Sequence, residues 1–324
     1  MRYLVTGGAG FIGSNLCRRL LNDGHSVACL DDLSTGKYSN IDKLEKNPNF
    51  DFINHDLTKP FFPDKIDAIF NLACPASPVH YQYNPIRTLK MGTLAMYNVL
   101  GMAARLKVPI LQASTSEVYG DPEVHPQVET YWGYVNPIGP RACYDEGKRV
   151  AEALCIAYNE HHDVRIRIAR IFNTYGPFMH PKDGRVVSNF VVQALGGNPL
   201  TVYGNGEQTR SFCYIEDMVD GLIMLMNSEY EQPMNLGNPQ EYSIMDLAEI
   251  VVEKTDSNLD IISRPLPEDD PRKRCPDISL AKEVLVWQPK TGLSDGLDLT
   301  IKWFEEILKN YETTEEEEEI NYGT

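Results

Sequence analysis

Residues 7–13 read Gly7-Gly8-Ala9-Gly10-Phe11-Ile12-Gly13, with the short apolar run Tyr3-Leu4-Val5 directly before them and the amphipathic run Ser14 to Asn22 directly after. A strand that turns through glycines into a helix leaves a chain few folds to choose from. The spacing satisfies both GxxGxxG and GxGxxG. A Cβ at such positions would hold the backbone away from a pyrophosphate, at which the N–H groups of the following helix point. A glycine turn alone is weak, but here strand, loop, helix and a second strand (Ser26 to Leu30) follow in order, ending at Asp31-Asp32.

Asp31 lies about twenty residues beyond the glycines, where a carboxylate accepts hydrogen bonds from a ribose diol and repels a 2′-phosphate; this favours NAD over NADP. Asp56, after the strand Asp51 to Asn54, is a second acidic candidate, for an adenine amino group. Asp67 to Leu72, Pro109 to Ala113 and Arg165 to Arg170 read as further strands, separated by helical stretches at Pro85 to Leu106 and Tyr144 to His161. Such alternation predicts an α/β fold, a Rossmann-like doubly wound parallel sheet covered on both faces. After Phe172 the pattern changes. Helices are expected at Val186 to Leu195 and Ile215 to Met226, and Leu236 to Pro276 reads as loop-rich, with Pro265, Pro267, Pro271 and Pro276. The expected division is a dinucleotide-binding domain at 1–172 with return segments around 205–235, a smaller C-terminal ligand-binding lobe at 173–310, and a disordered acidic tail at 311–324.

Composition narrows the function. With 324 residues, 42% of them apolar, the chain can bury a large core. Its net charge of −16 makes it a poor partner for a nucleic acid backbone. No apolar run approaches the ~18 residues of a membrane span, and no signal peptide fits before the glycine loop, so a soluble protein is expected. Seven cysteines without a CxxC read as reduced thiols of a cytoplasmic protein. His161-His162-Asp163 has no third ligand nearby, and no metal is expected.

Tyr144 and Lys148 form the only Tyr-x-x-x-Lys pair among seventeen tyrosines, and at i and i+4 they share a helix face. A tyrosine with pKa near ~10 needs neighbouring cations to serve as a base at neutral pH. An ammonium and an oxidised nicotinamide are the two expected here. Ser114-Thr115-Ser116-Glu117 follows the predicted strand Ile110 to Ala113 at the carboxyl edge of the sheet, where open α/β folds bind ligands. A hydroxyl of Thr115 or Ser116 there can bond the reacting oxygen.

These motifs together resemble an extended short-chain dehydrogenase/reductase acting on nucleotide sugars. Ala73-Cys74-Pro75-Ala76-Ser77-Pro78, Ser114 to Gln127, Asn136 to Glu152 and Asp183 to Phe190 resemble more closely the UDP-glucuronate decarboxylases, over about residues 1 to 310. The resemblance implies that Gly7, Gly10, Phe11, Ile12, Gly13, Asp31, Asp32, Thr35, Asp56, Leu57, Leu72, Cys74, Ala113, Tyr144 and Lys148 hold NAD. It implies that Lys90, Asn98, Asn173, Arg185, Tyr203, Gln208, Arg210 and Arg274 bind the UDP-sugar. Tyr144, Lys148, Thr115, Ser116, Glu117 and Arg274 would be catalytic, with Arg274 in the loop Asp270-Pro271-Arg272-Lys273-Arg274-Cys275-Pro276-Asp277. Cys74 stands where the pattern has Ser, a weaker hydrogen-bond partner.

Thr115-Ser116-Glu117 matches the decarboxylases, whereas the dehydratases carry an Asp-Glu pair after the threonine. Replacing one acid by Ser116 removes a like charge beside a substrate carboxylate. The implied reaction is oxidation of UDP-glucuronate at C4, loss of CO2 from the 4-keto acid, and reduction to UDP-xylose by the same cofactor. A UDP-sugar 4-epimerase or 4,6-dehydratase remains the alternative among enzymes, and a non-catalytic dinucleotide sensor the alternative outside them. Resemblance also implies a homodimer through the helices Pro85 to Leu106 and Tyr144 to His161.

Overall fold

The computed structural model describes residues 1–266 and 273–311, the last two by backbone alone. Asp270-Pro271-Arg272 and the acidic tail from residue 312 onward lie outside the described residues. The strands in chain order are β1 (Arg2–Thr6), β2 (Ser26–Asp31), β3 (Phe50–Asn54), β4 (Ala68–Asn71), β5 (Ile110–Thr115), β6 (Ile166–Ile171), β7 (Thr174–Tyr175), β8 (Leu200–Tyr203), β9 (Thr209–Ser211), β10 (Cys213–Tyr214), β11 (Pro233–Leu236), β12 (Glu241–Ser243), β13 (Ile261–Arg264) and β14 (Lys273–Arg274). Seven of them form one parallel sheet in the order β11-β6-β5-β4-β1-β2-β3. The chain leaves β3 at one edge and returns beside β1 as β4, so the crevice for a ligand opens at the carboxyl ends of β1 and β4.

Strand residues alternate between two cores. Tyr3, Val5, Val27 and Cys29 pack on one face with Leu16 and Leu20 of helix α1 (Phe11–Asn22) and with Met218 and Leu222 of the helix Ile215–Asn227. Leu4, Ala28, Leu30 and Ile69 pack on the other, against Met96, Val99 and Leu100 and against Ala151 and Cys155. Burial on both faces is why these strands read as continuous apolar runs. The smaller strands form separate two- and three-stranded pieces beside the sheet: β10 with β7, β12-β9-β14, and β13 with β8.

Three expectations need correction. β5 runs through Thr115, because Ser114 and Thr115 pair with Arg170 and Ile171, so the hydroxyls end the strand instead of following it. The stretch 85–106 is not one helix: after the short helix α2 (Pro78–Tyr83), α3 (Pro85–Lys90) and α4 (Met96–Leu106) are joined by a π-helical turn over Met91–Ala95. The segment 236–276 is not mainly loop, since it holds the helix Ile244–Lys254, capped reciprocally by Ser243 and Asp246. Among the described residues no helix is long and apolar enough to cross a membrane.

Candidate active site

A cleft of about 830 Å³ opens at the carboxyl end of the sheet. The glycine loop forms its floor. Gly7 has φ +68°, and a Cβ there would sit 2.8 Å from the main-chain nitrogen of Ala73; one on Gly13 would sit 2.1 Å from the Gly7 carbonyl oxygen. The loop is therefore closed to side chains, as close approach of a pyrophosphate requires. At the end of β2, Asp31 accepts hydrogen bonds from the Ala9 N–H (3.0 Å) and the Leu33 N–H (2.8 Å). Burial pushes its carboxyl above the usual range, opposed by these N–H groups. Asp31, Asp32 and Leu57 line a smaller pocket continuous with the glycine loop, together with Thr35, Leu72 and Cys74. The residues present thus fit a dinucleotide.

Expected site residues separate into two groups. Gly10, Phe11, Ile12, Ala113, Thr115, Ser116, Glu117, Tyr144, Lys148, Asn173, Arg185, Tyr203, Gln208, Arg210 and Arg274 all line the large cleft. Asp56, Lys90 and Asn98 line neither pocket. The Asn98 amide donates to the Leu57 carbonyl (2.8 Å), and Lys90 is exposed. Asp56 accepts from the Thr58 N–H and hydroxyl and lies 3.7 Å from Arg87, which also pairs with Asp32.

Tyr144 and Lys148 stand on helix α5 (Ala142–His162), and Thr115 ends β5. Lys148 Nζ donates to the Ala113 carbonyl (2.7 Å) and lies 5.8 Å from the centroid of the Tyr144 ring. Tyr81 stacks on Tyr144, with centroids 5.0 Å apart and planes 6° from parallel. Burial pushes the Tyr144 phenol well above its ordinary value; Cys74 adds to this, and the Thr115 hydroxyl opposes it. The expected ammonium is thus bonded to a carbonyl, and what opposes burial at the phenol is first the Thr115 hydroxyl and then Arg185.

Glu117 is the electrostatic centre of the cleft. The turn that carries it begins at Thr115, whose hydroxyl accepts from the Glu117 N–H (3.3 Å). Its Oε1 accepts from Arg141 (2.6 Å) and its Oε2 from Arg274 (2.7 Å), all three side chains being nearly buried. Burial disfavours its charge, but Arg274 and Arg141 outweigh that and hold the carboxyl well below the usual range. Asp145, one residue past Tyr144, goes the other way. Burial, and then Glu117, push its carboxyl up to about 8 against Arg141 and Arg274. Two buried carboxyl groups in one cluster are thus driven apart in acidity. Arg141, Tyr81 and Asp145 were not picked out from the sequence. The signal for Arg141 is its place three residues before Tyr144, one turn back at the head of the same helix.

The two arginines expected to meet a diphosphate, Arg185 and Arg210, line the same cleft. Arg185 pairs with Asp183 and lies 5.8 Å from the Phe11 ring centroid, next to the glycine loop. Arg210 is buried in β9, and the Gln208 amide donates to the Tyr203 carbonyl (2.7 Å).

Comparison with known proteins agrees with this geometry. The family described as GDP-mannose 4,6 dehydratase matches residues 4–300. UDP-glucuronic acid decarboxylase 1 of Xenopus tropicalis is 54% identical over 309 residues, covering 95% of this chain and 73% of that protein. UDP-glucuronic acid decarboxylase 2 of Arabidopsis thaliana is 55% identical over 304 residues, covering 94% and 68%. Among solved structures, UDP-glucuronic acid 4-epimerase from Bacillus cereus, in complex with UDP-glucuronic acid and NAD, superposes with a TM-score of 0.85 at 28% identity, covering 95% of this chain and all of that one. UDP-glucose 4-epimerase from Thermotoga maritima, with UDP-glucose, does so at 0.87, also with 28% identity and the same coverage. The chain belongs to the GDP-mannose 4,6-dehydratase family of extended short-chain dehydrogenases/reductases, on its UDP-glucuronic acid decarboxylase branch.

Proposed function

We propose that this chain converts UDP-glucuronate to UDP-xylose and CO2 with one NAD that is regenerated in each cycle. The observation that carries the reading is the pairing of Glu117 with both Arg141 and Arg274. A second carboxylate, that of the substrate, enters beside an acid already neutralised from two sides. Had Glu117 stood there unpaired, like charges would repel.

NAD, when bound, supplies a reversible hydride acceptor for sugar C4 and a positive charge that opposes the effect of burial on Tyr144. The glycine loop and Asp31 hold it. Tyr144 Oη takes the proton from the C4 hydroxyl and later returns it, while the hydroxyls of Thr115 and Ser116 orient that oxygen. Lys148, anchored on the Ala113 carbonyl, fixes the helix face that carries Tyr144. The resulting 4-keto acid is a β-keto acid. Its C5–C6 bond breaks with the electron pair delocalised onto the C4 oxygen, CO2 leaves, and C5 takes up a proton. Arg274 faces the carboxylate end, and Arg185 and Arg210 bind the diphosphate through planar donor forks.

The active form we assign is a cytoplasmic homodimer. Ile86, Leu89, Leu94 and Tyr97 from the segment 85–106 and Val150 of α5 are exposed, an apolar set suited to a second copy. All seven cysteines are unpaired, which suits a reducing compartment. Mass spectrometry after incubation with UDP-glucuronate tests the reaction. UDP-xylose and CO2 are expected. The C4 epimer of the substrate would make the chain an epimerase, and unchanged substrate would remove the reading altogether.

A further inference from the structure

Arg274 reaches Glu117 from β14, outside the central sheet, so something must fix its backbone. On one side Arg274 pairs with Arg210 of β9. On the other, Gln127 grips the chain one residue further on. The Gln127 N–H donates to the Cys275 carbonyl (2.8 Å), and the Cys275 N–H donates to Gln127 Oε1 (2.9 Å). The Asp277 N–H donates to the Gln127 carbonyl (2.8 Å), and Gln127 Nε2 donates to the Val124 carbonyl (2.9 Å). Every polar group of Gln127 is thus used, at 1% exposure.

Asn235 links this grip to the sheet. From β11 its Nδ2 donates to the carbonyls of Gln127 (2.9 Å) and Asp277 (3.1 Å), and its Oδ1 accepts from Tyr119 Oη (2.8 Å). Tyr119 Oη in turn accepts from Arg170 Nη1 (2.9 Å), and Arg170 binds Glu152 through two nitrogens (3.0 and 2.7 Å). Glu152 stands one turn beyond Lys148 on α5. A continuous hydrogen-bonded path therefore joins the helix bearing Tyr144 and Lys148 to the backbone beside Arg274. A long arginine side chain holds a 2.7 Å contact only when its own backbone is kept in place.

We propose that Gln127 is a positioning residue for the reaction: through its two bonds to Cys275 it sets where Arg274 meets Glu117, and Asn235 ties that grip to the central sheet. The inference rests on the decarboxylase reading and adds to it a residue outside the cleft wall.

A double-mutant cycle of Gln127→Met with Arg274→Ala in the full chain tests it, read as kcat, KM for UDP-glucuronate and NAD retained through purification. If Gln127 acts through Arg274, Gln127→Met lowers kcat about tenfold with NAD content unchanged, and adds less than about twofold to the loss in Arg274→Ala. Wild-type kcat in Gln127→Met, or losses that multiply in the double variant, overturn the inference. Gln127→Glu keeps an acceptor for the Cys275 N–H and serves where Gln127→Met does not fold; it should stay within about fivefold of wild type, and a loss as large as that of Arg274→Ala overturns the inference too. Failure of the wild-type chain to form UDP-xylose counts against the decarboxylase reading instead, so the two failures are told apart.

Discussion

Gly92 and Gly147 bring two helical segments into backbone contact beside the cleft. A Cβ on Gly92 would lie 2.6 Å from the Gly147 carbonyl oxygen, whereas one on Gly147 meets nothing nearer than Gly92 Cα at 3.7 Å. The two substitutions should differ accordingly. Gly92→Ala must push α5 away, taking Tyr144 and Lys148 with it, and is expected to lower the melting midpoint and to cost about tenfold in kcat. Gly147→Ala is expected to be neutral or to stabilise by up to ~1 kcal/mol through helix propensity. Thermal denaturation with kcat on both variants checks this; equal effects would contradict the contact.

Tyr144→Phe removes the phenolic hydroxyl beside Thr115 while leaving the stacking on Tyr81 intact. Turnover should fall by about 10³-fold or more, with NAD and UDP binding retained. Calorimetric titration with UDP beside product analysis distinguishes loss of chemistry from loss of binding.

Glu117→Gln leaves Arg141 and Arg274 buried without the carboxylate between them. Breaking a buried pair from one side costs about 3–5 kcal/mol, a large part of a typical stability margin. The variant should unfold at markedly lower denaturant concentration. Glu117→Gln with Arg141→Met should recover part of that loss, because one of the two guanidinium groups that faced the carboxylate is removed with it. A single variant as stable as wild type would contradict the pairing.

Asp145 supplies a pH signature. Its carboxyl is raised in the folded protein to about 8, by burial and Glu117 against Arg141 and Arg274, so the folded chain binds this proton more tightly than the unfolded one. Stability from this group is present below the ordinary carboxylate range and is lost as pH rises through about 8. Asp145→Asn removes that slope. Relative to wild type, its unfolding midpoint should move upward between about pH 5 and about pH 8. A difference that stays constant with pH would show that Asp145 is already ionised.

What was legible in the sequence was local. Glycine loop, Asp31 and the Tyr144–Lys148 spacing each lie within one strand–turn–helix or one helical turn, where a few residues dictate the geometry. Lys90 and Asn98 would share one regular helix if 85–106 were unbroken, whereas the structure sets them on either side of a π-helical turn and outside both pockets. The π-helical turn at Met91–Ala95 takes an extra residue and changes which positions share a face. The prolines beyond the helix Ile244–Lys254 mask it in the sequence, though Leu247, Ala248 and Val251 carry its spacing. Tyr81 on Tyr144 and Gln127 on Cys275 join residues 63 and 148 apart, and no local pattern announces such contacts.

The sheet takes its last strand from far along the chain: β11 covers β6 with residues 233–236. A fragment ended at Phe172 would leave the main-chain donors and acceptors of Ile166–Ile171 open along an uncovered sheet edge, a template for pairing with other molecules. Cutting the protein there should give aggregates in place of a small free-standing nucleotide binder.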